Sequence, residues 1–127
     1  MTKQEKQLLL KDLCARLLYH PRVRICNDSW EGCKIGEFDN DLWFHHIEAF
    51  NCSRIEILPY LRPMSSMTEE EASELDAIKT KYKIDFPYGC TSMYQENIDY
   101  LNSHYFDYRG LIEKGLALEA PEGMYKL

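Results

Sequence analysis

Two adjacent histidines, His45 and His46, together with Cys33 and Cys52, have the side-chain types that could hold a metal ion, because zinc takes imidazole and thiolate ligands. Their spacing argues against it. Metal knuckles present ligands about two to four residues apart, and adjacent side chains on a strand point to opposite faces, so only one histidine could enter a common site. One packed and one exposed histidine is the stronger reading. A cysteine–histidine nucleophile pair would leave no spacing signal, since such partners meet only in the fold, and no cysteine stands out as activated. Asp39-Asn40-Asp41 resembles the start of a calcium loop but lacks its glycine and closing glutamate, so it reads as a hairpin turn. No phosphate loop, dinucleotide fingerprint, zinc-protease helix or nucleophile elbow is present. Trp30 in a turn and Trp43 in a strand could anchor a ligand or partner, with plain packing as the competing reading for each. The candidate surface is therefore Trp30, Trp43, His45 and His46; no catalytic residue, metal ligand or cofactor is assigned.

Composition narrows the class. The chain has 127 residues, 45% hydrophobic and 28% charged, with nine tyrosines, which is the balance of one globular domain. Its net charge is −6, and residues 64–127 hold twelve acidic against six basic side chains, whereas residues 1–63 hold nine of each. That excess argues against nucleic acid, whose binding needs Lys and Arg to neutralise phosphates. In the first half Arg16, His20, Arg22 and Arg24 form a local basic group, which reads first as solvated charge at a helix end and strand start. The first apolar run, Leu8 to Leu10, is shorter than the roughly 7–15 residues of a signal peptide, and nothing approaches the roughly 18 that span a bilayer, so a cytoplasmic protein without membrane partners is expected. Cys14, Cys26, Cys33, Cys52 and Cys90 are odd in number and form no Cys-x-x-Cys pair, and they are expected as free thiols, mostly in the core.

The elements that must position these residues follow from periodicity and capping. Thr2 and Glu5 form a capping box ahead of a helix over residues 3–19, with Leu10, Leu13, Cys14 and Leu17 on its buried stripe. Residues 22–58 read as short strands with tight turns: Val23 and Ile25 alternate with Arg22 and Arg24, a second strand covers Cys33–Phe38, Leu42–Ile47 forms a third that is apolar on both faces, and Arg54–Leu58 a fourth. Short connections imply antiparallel pairing, as a meander or a partly open barrel. Pro59 and Pro63 bracket an extended connector. The helical region 68–115 opens with a Thr68–Glu71 box, continues through a third box at Ser92–Gln95, and closes with a short turn of helix at Tyr108–Lys114 capped by Asp107. The tail is 116–127; its end, Pro121–Leu127, lacks periodicity, and partial disorder is expected there.

Three segments carry a resemblance: Lys6-Gln7-Leu8-Leu9-Leu10-Lys11-Asp12-Leu13-Cys14-Ala15-Arg16-Leu17; Pro59-Tyr60-Leu61-Arg62-Pro63-Met64-Ser65-Ser66-Met67-Thr68-Glu69-Glu70-Glu71; and Asp107-Tyr108-Arg109-Gly110-Leu111-Ile112 with Gly115-Leu116-Ala117-Leu118-Glu119-Ala120-Pro121. Together they resemble an uncharacterised family of small proteins of gut anaerobic bacteria, often encoded in prophages or other mobile elements. The resemblance implies a cytoplasmic protein of unknown function and supplies no site residues. It does not extend to residues 20–58.

The expected architecture is α+β: an N-terminal helix, a small antiparallel sheet of three or four strands, and two or three C-terminal helices. The function expected first is a non-enzymatic interaction or accessory module that binds another protein. The alternative is a small enzyme or ligand-binding domain using His45 or His46 with a cysteine or carboxylate, and a weaker one is nucleic-acid binding through Arg16, Arg22 and Arg24. The sequence does not fix the oligomeric state.

Overall fold

A computed structural model describes residues 1–126, so the last residue of the expected tail, Leu127, lies outside the described residues. The chain is α+β, as its alternating patterns predict. Helix α1 (Lys3–Arg16) starts in the expected capping box: the Thr2 hydroxyl accepts from the Glu5 N–H, and the Glu5 carboxylate accepts from the Thr2 N–H. The buried stripe differs from the expected one. Leu9 and Leu13 are buried with Asp12 and Arg16, while Leu10 and Leu17 are half-buried and Cys14 is exposed. A 3-10 turn over Leu17–Tyr19 ends the helix, and His20 reverses the chain in left-handed geometry (φ 48°) before Pro21.

Strands β1 (Arg22–Asn27) and β2 (Cys33–Glu37) pair as an antiparallel hairpin. Val23 and Ile25 point into the core; Arg22, Arg24 and Cys26 lie on the opposite face. The expected third strand, Leu42–Ile47, is instead part of helix α2 (Asn40–Asn51). Asp39 is its N-cap, with its carboxylate accepting from the Leu42 N–H, so the Asp39-Asn40-Asp41 signal marks a helix start and not a hairpin turn. Trp43, Ile47 and Phe50 recur at helical spacing, and only a window reaching Phe50 reveals it.

Strand β3 (Ile55–Leu61) pairs antiparallel with β1 and runs through Pro59, which was expected in the connector. Pro59 is tolerated because β4 (Leu118–Glu119) begins its pairing only at Tyr60, which leaves the far side of β3 open where the missing N–H would point. β4 runs parallel to β3, so the sheet is mixed, not purely antiparallel. Its order is β2-β1-β3-β4, an open sheet and not a barrel. The long connection that a parallel pair requires holds helices α3 (Glu69–Lys83) and α4 (Thr91–Ser103). α3 begins in the Thr68–Glu71 capping box; α4 begins two residues earlier than the Ser92–Gln95 box predicts, with Cys90 as an N-cap that makes no side-chain bond.

Tyr108–Lys114 is a set of turns and not a helix. Asp107 does cap it: its two carboxylate oxygens accept from the Leu111 and Ile112 N–H groups. The segment after β4 packs back on the sheet through Tyr125. The Tyr125 hydroxyl accepts from the Arg22 N–H (2.8 Å) and donates to the Tyr60 carbonyl (2.7 Å), where β1 and β3 have splayed apart by one hydroxyl. Its ring stacks on Tyr105 at 3.8 Å. The core has two clusters. One, from α1, β1, α2, β3 and the link between β2 and α2, holds Leu9, Leu13, Val23, Phe38, Phe50 and Ile57. The other holds Leu61, Leu111, Leu116 and Ala117.

Candidate functional site

The sequence-derived residues come only partly together. On α2, Trp43 packs edge-on between Phe38 (5.8 Å) and Phe50 (5.7 Å) as part of the core wall. His46 meets the edge of Trp30 at 6.1 Å, and Lys34 caps the same indole at 4.4 Å. Burial depresses the His46 pKa, with His45 adding to the effect. His45 is turned to solvent, with only a loose approach to Asp41 at 3.9 Å. Among the described residues no three His, Cys, Asp or Glu side chains gather as a metal would require. Cys26 and Cys33, expected as free thiols, are joined in a disulfide: they face each other in the β1–β2 register with Cα atoms 4.3 Å apart. The other three cysteines are free, and none lies in the core: Cys14 and Cys52 are exposed and Cys90 is partly buried.

Arg16 cannot serve a nucleic-acid surface. It is fully buried, donates from Nε to Asp12 (2.9 Å) and from Nη2 to the Phe106 carbonyl (2.7 Å), and its guanidinium lies over the Tyr108 ring. Arg109 donates to the other Asp12 oxygen at 2.7 Å. Arg24 is paired with Glu56. The basic group of the sequence is thus divided between the core and the sheet surface.

A concave site lies elsewhere, on the far side of Phe106. A cleft of about 740 Å³ opens between the start of α3, the end of α4 and the segment after β4. Its floor is a second arginine node. Arg62, one residue past β3, grips Glu71 with two parallel bonds, Nη1 to Oε2 and Nη2 to Oε1, both 2.7 Å. The Thr68 N–H donates to Oε1, and His104 Nδ1 lies 3.0 Å from Oε2. The Arg62 bonds hold the Glu71 carboxyl down at about 2, with help from Thr68 and His104. An ionised carboxylate only accepts, so Nδ1 is the protonated nitrogen of His104. His104 stacks on Tyr100 (4.1 Å), whose hydroxyl donates to Glu74 at 2.8 Å; burial and that carboxylate raise the Tyr100 pKa. Arg62 also lies over the Phe106 ring at 4.2 Å.

The charge of this cleft is one-sided. Glu70, Glu74, Glu119 and Glu122 line it, and its two basic residues, Arg62 and His104, are both turned onto Glu71. Among the described residues that line it, the arrangement places carboxylates beside the Tyr125 ring. The sequence showed each acid but not their convergence, because Glu70 and Glu74 belong to α3 while Glu119 and Glu122 arrive through the parallel pairing of β4, which has no local signal. The cleft's Arg62 and Glu71, the buried Asp12 and Arg16, and the partly buried Arg109 all fall within the three segments that carry the resemblance noted above. No helix among the described residues is long and apolar enough to cross a membrane. No family model, curated protein or solved structure matches this chain.

Proposed function

We propose that this protein is a non-enzymatic interaction module, an accessory of a mobile genetic element working in the cytoplasm, whose acidic cleft receives a basic, extended segment of a partner protein. The observation that carries the reading is the charge balance of the cleft: four carboxylates with no cationic partner among the described residues surround a floor whose arginine is held by Glu71. A site with low-dielectric walls and one sign of charge focuses its field and attracts the opposite charge. The partner's Lys or Arg side chains supply the missing cations, and their aliphatic stems lie along Pro63, Pro121 and the Tyr125 ring. The mobile-element setting rests on the three segments of resemblance.

The test is a titration of the isotope-labelled protein with a lysine- and arginine-rich peptide, followed by NMR, with a glutamate-rich peptide as control. The basic peptide is expected to move resonances of Glu70, Glu74, Glu119 and Glu122 and to bind more weakly as salt rises. Unmoved cleft resonances at millimolar peptide would contradict the proposal, as would binding that ignores salt.

A further inference from the structure

The hairpin at the other end of the sheet carries a different chemistry. Cys26 and Cys33 sit directly opposite each other on β1 and β2, on the face that Val23 and Ile25 do not use. Cys33 is an exposed residue on the edge strand β2, away from the core face, so a thiol can approach the bond without any opening of the core. The bond closes a turn of which Trp30 is part. That turn is held by the Trp30 N–H donating to the Asn27 carbonyl (2.9 Å), the Ser29 N–H donating to the Asn27 side chain (2.9 Å), and the indole resting between His46 and Lys34. A disulfide that is accessible in the folded state is the kind that exchanges, whereas a structural one is shielded.

We infer that Cys26–Cys33 is a thiol–disulfide exchange site, opened by a dithiol reductant in the folded protein, and that its state sets how firmly Trp30 is held against α2. A thiolate of the dithiol attacks Cys33 Sγ. The sulfur–sulfur bond breaks, and Cys26 Sγ leaves as a thiolate that takes a proton from solvent. The reductant's second thiolate then attacks its own sulfur in the mixed disulfide and releases Cys33, which is protonated in turn. Two electrons pass to the protein, and the dithiol becomes a disulfide. Arg24 and Glu56 are the charged neighbours of Cys26 on this face, and they neutralise each other. The inference is independent of the acidic cleft, which shares no residue with the hairpin.

The experiment uses the full chain, oxidised, with its free thiols first blocked by iodoacetamide under native conditions. Dithiothreitol is then added, and newly exposed thiols are trapped with a reagent of different mass while circular dichroism follows the fold. Cys26 and Cys33 are expected to be labelled while the dichroism is unchanged, and tryptophan emission is expected to shift to the red in the unaltered chain but not in Trp30→Phe. The Cys26→Ser/Cys33→Ser variant should show the reduced emission without any reductant. Labelling that appears only when the protein unfolds overturns the inference. So does release of both thiols with the Trp30 emission unmoved. If the serine variant does not fold, labelling of the unaltered chain decides alone.

Discussion

Two arginine–carboxylate nodes stand on either side of Phe106, and they differ in what surrounds them. In the first, Arg16 and Arg109 share Asp12; Arg16 and Asp12 have no solvent exposure, and Arg16 is bonded to the Phe106 carbonyl. In the second, Arg62 lies over the Phe106 ring and holds Glu71 with His104, at the floor of an open cleft. The first ties α1 to the C-terminal turns; the second ties the end of β3 to α3 and α4. The same chemistry serves as a dry lock in one place and as a rigid floor for a charged cleft in the other. The surroundings of a pair, and not its members, decide whether it faces a ligand.

The comparison breaks first at Arg16. Arg16→Ala leaves Asp12 buried with half of its compensation and is expected to cost about 3–5 kcal/mol, read from urea unfolding. Glu71→Gln removes the charge that Arg62 grips; with the pair partly open to water its cost should be smaller, about 2–3 kcal/mol. A cost for Glu71→Gln above that for Arg16→Ala would reverse the assignment of lock and floor.

Acid sharpens the same contrast. The folded Glu71 carboxyl titrates at about 2, below its ordinary value of 4.5, so its contribution is fully present above pH 4.5 and is lost as pH falls from there through about 2. That contribution is at most about 3 kcal/mol. Unfolding free energies measured between pH 5 and 2 should fall less steeply in Glu71→Gln than in the unaltered chain. Thr68→Ala removes the N-cap of α3 and should cost about 1 kcal/mol by the same denaturant measurement.

The two nodes were unequally legible. The Thr68–Glu71 capping box is a local motif and was read from sequence, but the same glutamate's pairing with Arg62 and His104 was not, since those partners come from β3's end and the end of α4. The role of Arg16 is hidden for the same reason: in sequence it belongs to a basic group, and only Asp12 one helical turn earlier hints at a buried pair. The start of α2 resembles a strand in sequence because Leu42–Ile47 alone carries aromatic and β-branched residues without a visible period. The Cys26–Cys33 bond depends on the hairpin register, which a count of cysteines does not contain. Order at Tyr125 likewise depends on a gap between β1 and β3 that forms only in the folded sheet.

The smallest effect on stability should accompany the largest effect on binding. Glu119 and Glu122 line the cleft without taking part in either node, so Glu119→Gln/Glu122→Gln should leave the unfolding free energy within about 0.5 kcal/mol. Titrating this variant and the unaltered chain with the same lysine- and arginine-rich peptide at low salt tests the central claim most directly. The account predicts saturable binding to the unaltered chain, weakened about tenfold or more in the variant. Equal affinity for the two proteins would contradict it.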